Sequence, residues 1–388
     1  MFQEAMIVTT RNLASWGAAL IGELVNDFGR QGCRAVIVDL AAVERSQTDH
    51  LLDRWCEKSP EKLLISLNAR LTFPEHKPGG SVYEVGWSHF CWLFDNPSHN
   101  YENLTQLPAD AVVGLAEASH LDSMKALHLP HTCTVFSYRP DSFGETPVPT
   151  GARSHKILIA GNASALPNLE HTKNGNPVEL HPYIDAAWAA GHQQARIPAP
   201  TVSLFQAACA DTGHSPDALP KSILASLISI IEQLSNTHSR LRTINILVAD
   251  HQVSLIGNLQ GYDFERAENV NYLGATDYET FENMLGNSQV TLNLTPKFTQ
   301  VATPRVWSAL KAGAVPLTTA SAELDPYKTA GVLDYLDLSL DDGDLRDAMI
   351  EMLDDETVAH RLESIANRSW SGLEPPSRIE ALYSAFMP

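Results

Sequence analysis

Short apolar runs alternating with helical patterns constrain this chain more than any other feature, because they occur in two series separated by a single break. The first series reads "AMIVTT" (5–10), "RAVIVDL" (34–40), "KLLISLN" (62–68), "HFCWLFD" (89–95), "AVVGLA" (111–116) and "CTVFSY" (133–138). These runs are rich in Val, Ile, Leu and Phe, the composition of strands covered on both faces of a parallel sheet. Between the first two, "WGAALIGELVNDFGRQG" places Leu20, Leu24 and Phe28 at i, i+4 and i+8, one face of a helix. "ASHLDSMKALHLP" offers Ser119 or Asp122 as a cap and stops at Pro130. This is a doubly wound α/β pattern.

The break is "RPDSFGETPVPTGARSH" (139–155), polar and without apolar period, after which "KILIAGNAS" (156–164) begins a strand anew. A domain boundary near residue 152 follows. The second series predicts a helix over 220–241, strands over 243–250, 253–259 and 269–274, and a helix over 277–287. A strand over 289–295, a helix over 304–312 and a strand over 314–319 complete it. The fold class expected is two tandem Rossmann-like α/β domains with an interdomain cleft. Residues 1–151 form the first domain and 152–365 the second; 366–388 form a helical tail, broken at Pro375-Pro376, that can return to the first. Residues 71–88 and 164–200 carry no pattern that defines an element.

Composition narrows the partners. A chain of 388 residues exceeds one ordinary core and suits two domains. The formal net charge of −19, with no Lys/Arg run, repels phosphate backbones and anionic membranes, so neither nucleic acid nor a membrane is an expected partner. No apolar run reaches membrane-spanning length, and the five cysteines, odd in number and without CxxC spacing, read as reduced thiols of a cytoplasmic protein. HExxH, GxSxG and GxxxxGK[ST] do not occur, which argues against zinc-protease, serine-hydrolase and P-loop chemistry. No metal site and no cofactor is expected. Asp342-Gly-Asp344 formally resembles a metal-binding DxD but sits where a helix needs acidic residues at its start.

In an acidic chain, an arginine beside a helix entrance is informative. In "TPRVWSALKAGAVPLTT" (303–319), Thr303 is a candidate N-cap and Pro304 a candidate N1, which places Arg305 in the first turn. The free amides and positive dipole end there favour an anion and disfavour a cation. Two readings stand: Arg305 pairs with a surface carboxylate, or it clamps a bound phosphate with two hydrogen bonds. Lys297 and Thr299, in the preceding loop, are candidate second phosphate contacts or solvated loop residues. Gly161 and Asn162, at the end of "KILIAGN", either let a backbone approach a ligand or make a turn. In the first domain Asp95, Asn96 and His99 follow the fourth strand. Asp95, or less well His99, could serve as a general base, although an Asp-Asn-Pro turn explains the same residues. His181 and Tyr183 are weaker candidates.

The order "NVNYLGATDYETFENMLGNSQVTLNLTPKFTQVATPRVWSALKAGAVPLTTASAELDPY" resembles the donor-binding half of GT-B glycosyltransferases, in particular the group-1, CgeB-like (spore-maturation-type) enzymes of bacteria. The resemblance covers about 269–330 firmly, and "FCWLFDNP" (90–97) and "KILIAGN" (156–162) more weakly. It implies a metal-independent transfer of a sugar, of the hexosyl type, from a nucleotide-diphosphate donor to an unidentified acceptor. Arg305 and Thr303 would bind the diphosphate, and the backbone at Gly313 would pass close to the donor. The positions that often carry an acidic pair contacting donor sugar and ribose hold Gln300 and Ser308 here. Two rivals follow: a catalytically silent GT-B-like binding or assembly protein, and a sugar-nucleotide 2-epimerase. A nicotinamide oxidoreductase is disfavoured because neither "TTRNLASWG" nor "AGNASALPN" gives GxGxxG.

Overall fold

A computed structural model describes residues 2–9, 15–39, 59–69, 86–139, 153–161, 168–257, 264, 266–367 and 377–386. The chain divides into two compact units, one of Met1–Asp141, Pro220–Ala225 and Pro375–Pro388, the other of Ser142–Leu219 and Ser226–Glu374. The expected break near residue 152 lies outside the described residues, as do Asn162 and most of the 71–88 stretch.

Unit 1 holds one sheet of strands β1 (Glu4–Thr9), β2 (Arg34–Asp39), β3 (Ser59–Leu67), β4 (Trp87–Trp92), β5 (Val112–Leu115) and β6 (Thr132–Val135). Their order is β2-β1-β3-β4-β5-β6, every pair parallel. All six apolar runs of the first series are therefore strands, and Leu20, Leu24 and Phe28 of helix Ser15–Arg30 are buried as their spacing requires. Burial has electrostatic consequences here. His89 of β4 shares a hydrogen bond of 2.8 Å with Ser66 of β3, and burial, then the His131 charge, pulls its pKa down to about 4. The same desolvation pushes the Cys91 thiol up to about 12, as an inert core sulfur requires.

The closing helix Arg378–Phe386 packs on β5 and β6 in unit 1. Phe386 stands edge-on to Phe2 at 5.3 Å between ring centroids, and Arg378 Nε donates to Asp27 at 2.5 Å, both side chains almost fully buried. The tail helix thus belongs with the first series of strands.

Unit 2 holds strands β7 (His155–Ala160), β8 (Val253–Ile256), β9 (Val270–Gly274), β10 (Ser288–Asn293), β11 (Val315–Thr318) and β12 (Asp334–Tyr335). Their order is β12-β11-β10-β7-β8-β9, again parallel throughout. One expected strand is absent. "TINILVAD" (243–250) is the last part of a 30-residue helix, Lys221–Asp250. Ile244, Leu247 and Val248 are buried at i, i+3 and i+4, so core packing on a helical period overrides the strand preference of the β-branched residues.

The 168–200 region, patternless in sequence, forms helices Leu169–Asn174 and His181–Arg196. The second crosses Lys221–Asp250 closely: a Cβ on Gly191 would stand 2.9 Å from Leu234 Cβ and 3.2 Å from the Ile231 carbonyl oxygen. Gly191→Ala is expected to lower the melting temperature, since overpacking of about 1–3 kcal/mol exceeds the gain of about 1 kcal/mol in helix propensity. A thermal melt of the variant checks this, and an unchanged or higher midpoint would show that the two helices can separate without cost.

Candidate functional site

The second sheet reverses direction between β7 and β10. The chain moves from β7 to β8 and β9 on one side, then returns to β10, β11 and β12 on the other. In open parallel sheets the crevice outside the carboxyl ends at such a point is where ligands bind. The residues placed there are Gly161 after β7 and the 294–303 loop after β10, which leads into helix Pro304–Ala312.

That helix begins where the sequence predicts, and Val306, Trp307, Ala309 and Leu310 bury its inner face. Thr303 occupies the N-cap in extended conformation, yet its side chain makes no capping bond. Instead Thr303 Oγ1 donates to Asn293 Oδ1 at 3.0 Å, and Asn293 Nδ2 donates to Thr318 Oγ1 at 3.4 Å, which ties the helix entrance to the carboxyl ends of β10 and β11. Three helices of this unit are capped by carboxylates, Asp277, Asp341 and Asp354, whereas His181–Arg196, Thr201–Asp211 and Asp325–Thr329 share with Pro304–Ala312 the lack of a side-chain capping bond. The Asp341 carboxylate accepts from the Asp344 amide at 2.9 Å and Arg242 donates to Asp342 at 2.6 Å, so the DxD-like residues serve a helix start.

Arg305 is half-buried in the first turn. The loop before it is braced by Glu323, whose Oε2 accepts from the Ala302 amide at 2.8 Å and whose own amide donates to the Gln300 carbonyl at 2.9 Å. Gln300 is exposed and Ser308 half-buried. Gly313 adopts φ 82°, ψ 13° at the C-cap, a left-handed conformation that explains a glycine without any ligand. It lies at the opposite end of the helix from Thr303, about 15 Å away by the rise per residue, and leads into β11 from the amino edge of the sheet. The expected approach of Gly313 to the donor does not fit that placement.

Lys297 also differs from expectation. Its ammonium is buried, donates to Glu232 Oε2 at 2.9 Å and lies 5.2 Å from the centroid of the Phe298 ring. Glu232 Oε1 accepts from Thr201 Oγ1 at 3.1 Å, and Gln194 Nε2 donates in turn to Thr201 Oγ1 at 3.0 Å. A solvated lysine would lose less on binding a phosphate. This one is held inside the unit by a nearly inaccessible carboxylate.

The second cation at the reversal point is Arg240, which the sequence reading did not single out. Helix Lys221–Asp250 ends three residues before β8 begins, so its last residue lies at the amino edge. Ten residues back along it amounts to about 15 Å, close to the length of the strands, and brings Arg240 level with their carboxyl ends. Its guanidinium Cζ stands 3.5 Å from the point where a Gly161 Cβ would be. Burial, then the neighbouring Arg305 charge, pulls the Arg240 pKa down to about 9. Two like charges from different elements thus repel at the reversal point, Arg240 beside a glycine and Arg305 in the first turn of a helix, where a bound anion would relieve the repulsion.

In unit 1, Asp95 is half-buried and His99 exposed after β4. Asn96 Oδ1 accepts from the Ser98 amide at 3.0 Å, the turn that the Asp-Asn-Pro order suggests, and Asn68 Oδ1 accepts from the Phe94 amide at 2.8 Å. His181 shares a hydrogen bond of 3.0 Å with the Lys173 carbonyl and Tyr183 stacks edge-on with His214, both structural contacts. Among the described residues no three His, Cys, Asp or Glu side chains cluster to hold a metal, and no helix is long and apolar enough to cross a membrane.

No protein-family model matches the chain. No curated protein matches it in sequence. Solved structures do match in fold. An alpha-glucosyltransferase in complex with UDP and a 13-mer DNA containing a central A:G mismatch superposes with a TM-score of 0.52 at 8% identity, covering 99% of this chain and 98% of that one. Anabaena HepE in complex with UDP and glucose gives a TM-score of 0.45 at 8% identity, covering 99% and 98%. TarM gives 0.44 at 10% identity over 87% of this chain, which spans 57% of TarM. With its two six-stranded parallel sheets and closing helix, the chain has the two-domain Rossmann-like architecture of the GT-B glycosyltransferases.

Proposed function

We propose that the chain is a glycosyltransferase that takes its sugar from a nucleotide-diphosphate donor bound in unit 2, between Arg240 and Arg305. The single observation carrying the reading is the repulsion between these two guanidinium charges at the reversal point of the sheet, with Arg240 beside Gly161. A diphosphate brings negative charge to two mutually repelling cations, accepts paired hydrogen bonds from planar guanidinium groups, and suits a helix entrance without a side-chain cap. During transfer negative charge grows on the departing diphosphate, and fixed cations stabilise it without reorganising. The reading therefore routes that charge onto arginines and uses no divalent metal; transfer persisting in EDTA is its corollary. In unit 1 it assigns proton acceptance from the acceptor to Asp95 rather than to exposed His99. Thr303 and the backbone at Gly161 and Asn162 complete the phosphate contacts, while Gln300 and Ser308 are left to bond hydroxyls without charge.

The finer assignment, to the CgeB-like group and a hexosyl donor in a bacterial cytoplasm, rests on the resemblance over 269–330. A catalytically silent relative is the second reading, favoured by Gln300 and Ser308 at the acidic positions and by the commitment of Lys297 to Glu232.

A thermal-shift panel of UDP, GDP, CMP and dTDP sugars and free nucleotides, on wild type and Arg305→Ala, tests the reading. One nucleotide family is expected to stabilise the wild type, by about 2.7 kcal/mol at a hundredfold excess over Kd, and to lose that effect in the variant. Failure of every nucleotide at millimolar concentration would favour the silent protein. Donor turnover with no acceptor present would favour the epimerase.

A further inference from the structure

Helix Lys221–Asp250 turns a polar face toward the reversal point. Glu232, Asn236, Ser239, Arg240 and Thr243 fall within about 100° of its circumference at 100° per residue. Polar groups buried in this way are ordinarily partnered. Glu232 holds Lys297, Ser239 Oγ donates to the Asn236 carbonyl at 3.2 Å, and Arg240 lies beside Gly161 and Arg305. Two oxygens of this face are buried without a hydrogen-bond partner: Thr243 Oγ1, which lies inward of Arg240 along the helix, and Oδ1 of half-buried Asn236, which lies outward of it.

Position along the helix says what partner would fit. The helix descends from the carboxyl to the amino edge, so Asn236 stands one turn, about 6 Å, outward of Arg240. Glu232 and the Lys297 loop lie one turn farther out. A group esterified to a phosphate at Arg240 and Arg305 and extending away from the sheet passes Asn236. An amide oxygen without a donor is satisfied there by a hydroxyl.

We propose that Asn236 is a specificity-determining residue whose side-chain amide binds a hydroxyl of the ribose or sugar attached to the donor diphosphate. The inference rests on the nucleotide-sugar reading of the same site. It gives unit 2 an uncharged hydroxyl contact on a helix separate from the positions of Gln300 and Ser308.

Calorimetric titration of the full chain with inorganic pyrophosphate, free nucleoside diphosphates and the matching nucleotide sugars tests it, on wild type, Asn236→Ala and Asn236→Ser. Pyrophosphate, which has no hydroxyl on carbon, is expected to bind wild type and Asn236→Ala equally. The nucleotide ligands should bind Asn236→Ala about tenfold more weakly, as loss of one neutral hydrogen bond implies, with part recovered in Asn236→Ser. A loss already seen with the nucleoside diphosphate assigns the contact to the ribose; a loss confined to the nucleotide sugar assigns it to the sugar. Equal weakening of all ligands, pyrophosphate included, or no weakening of any, overturns the inference while leaving the donor site intact. A wild type that binds neither pyrophosphate nor any nucleotide removes the donor reading and this inference together.

Discussion

Arg240→Met is expected to melt at a higher temperature than the wild type without ligand, and to bind nucleoside diphosphate about 10–100-fold more weakly. Both effects have one cause. The folded protein holds the Arg240 guanidinium where burial and the Arg305 charge oppose it, so its pKa falls to about 9. A base whose folded pKa lies below its unfolded value destabilises the fold at every pH where it stays charged. The penalty is full below about pH 9 and fades as pH rises from there toward the unfolded value. Methionine keeps much of the apolar stem and removes the charge. The same charge supplies a bidentate contact to a phosphate, and losing a charge-assisted hydrogen bond costs about 1.5–3 kcal/mol of binding. Melting curves of both proteins at pH 7 and pH 10, with and without ligand, separate the two terms. A variant that melts lower than wild type at pH 7 in the absence of ligand would show that the guanidinium is a stabilising group. One that keeps full affinity would take Arg240 out of the site.

The second large effect concerns Glu232 and Lys297. Breaking this pair with Glu232→Leu or Lys297→Met leaves one buried charge uncompensated, and each variant is expected to lose about 3–5 kcal/mol of stability. The double variant should recover most of that loss, since two apolar side chains replace two desolvated ions. Urea unfolding of all four proteins gives the coupling energy. Single variants that lose less than about 1 kcal/mol would mean that water reaches the pair. The pair also anchors the 294–303 loop to helix Lys221–Asp250, so the double variant should stay folded yet hold the entrance to Arg305 less firmly. Weaker nucleotide binding at near-normal stability is the expected sign.

Much of the architecture was legible because parallel strands buried on both faces write themselves as short continuous apolar runs. All six strands of the first sheet coincide with such runs, and helix Pro304–Ala312 begins where Thr303-Pro304 predicts and spans the expected 304–312. The region around Gly191 was not legible. Its helix buries alanines and Gln194 against a neighbour, with too few large apolar residues to show a period. "TINILVAD" was misread for the complementary reason. Local β preference was visible, and the helical burial of Ile244, Leu247 and Val248 was not. That error concealed Arg240: a helix ended at 241 and followed by a strand leaves it at the amino edge of the sheet, whereas the helix continued to Asp250 carries it about 15 Å to the carboxyl edge.

The sequence by itself determined two parallel α/β sheets, the helix carrying Arg305 and the acidic field in which any anion site must be local. These depend on composition, on apolar period and on caps within a few residues of each other. Tertiary structure decided which cations meet. Lys297 is withdrawn by a carboxylate 65 positions earlier in the chain, and Arg240 is brought beside Arg305 by the length of a 30-residue helix. Charge pairing across such distances depends on strand order and helix length, which set the spatial neighbours and leave no local signal along the chain.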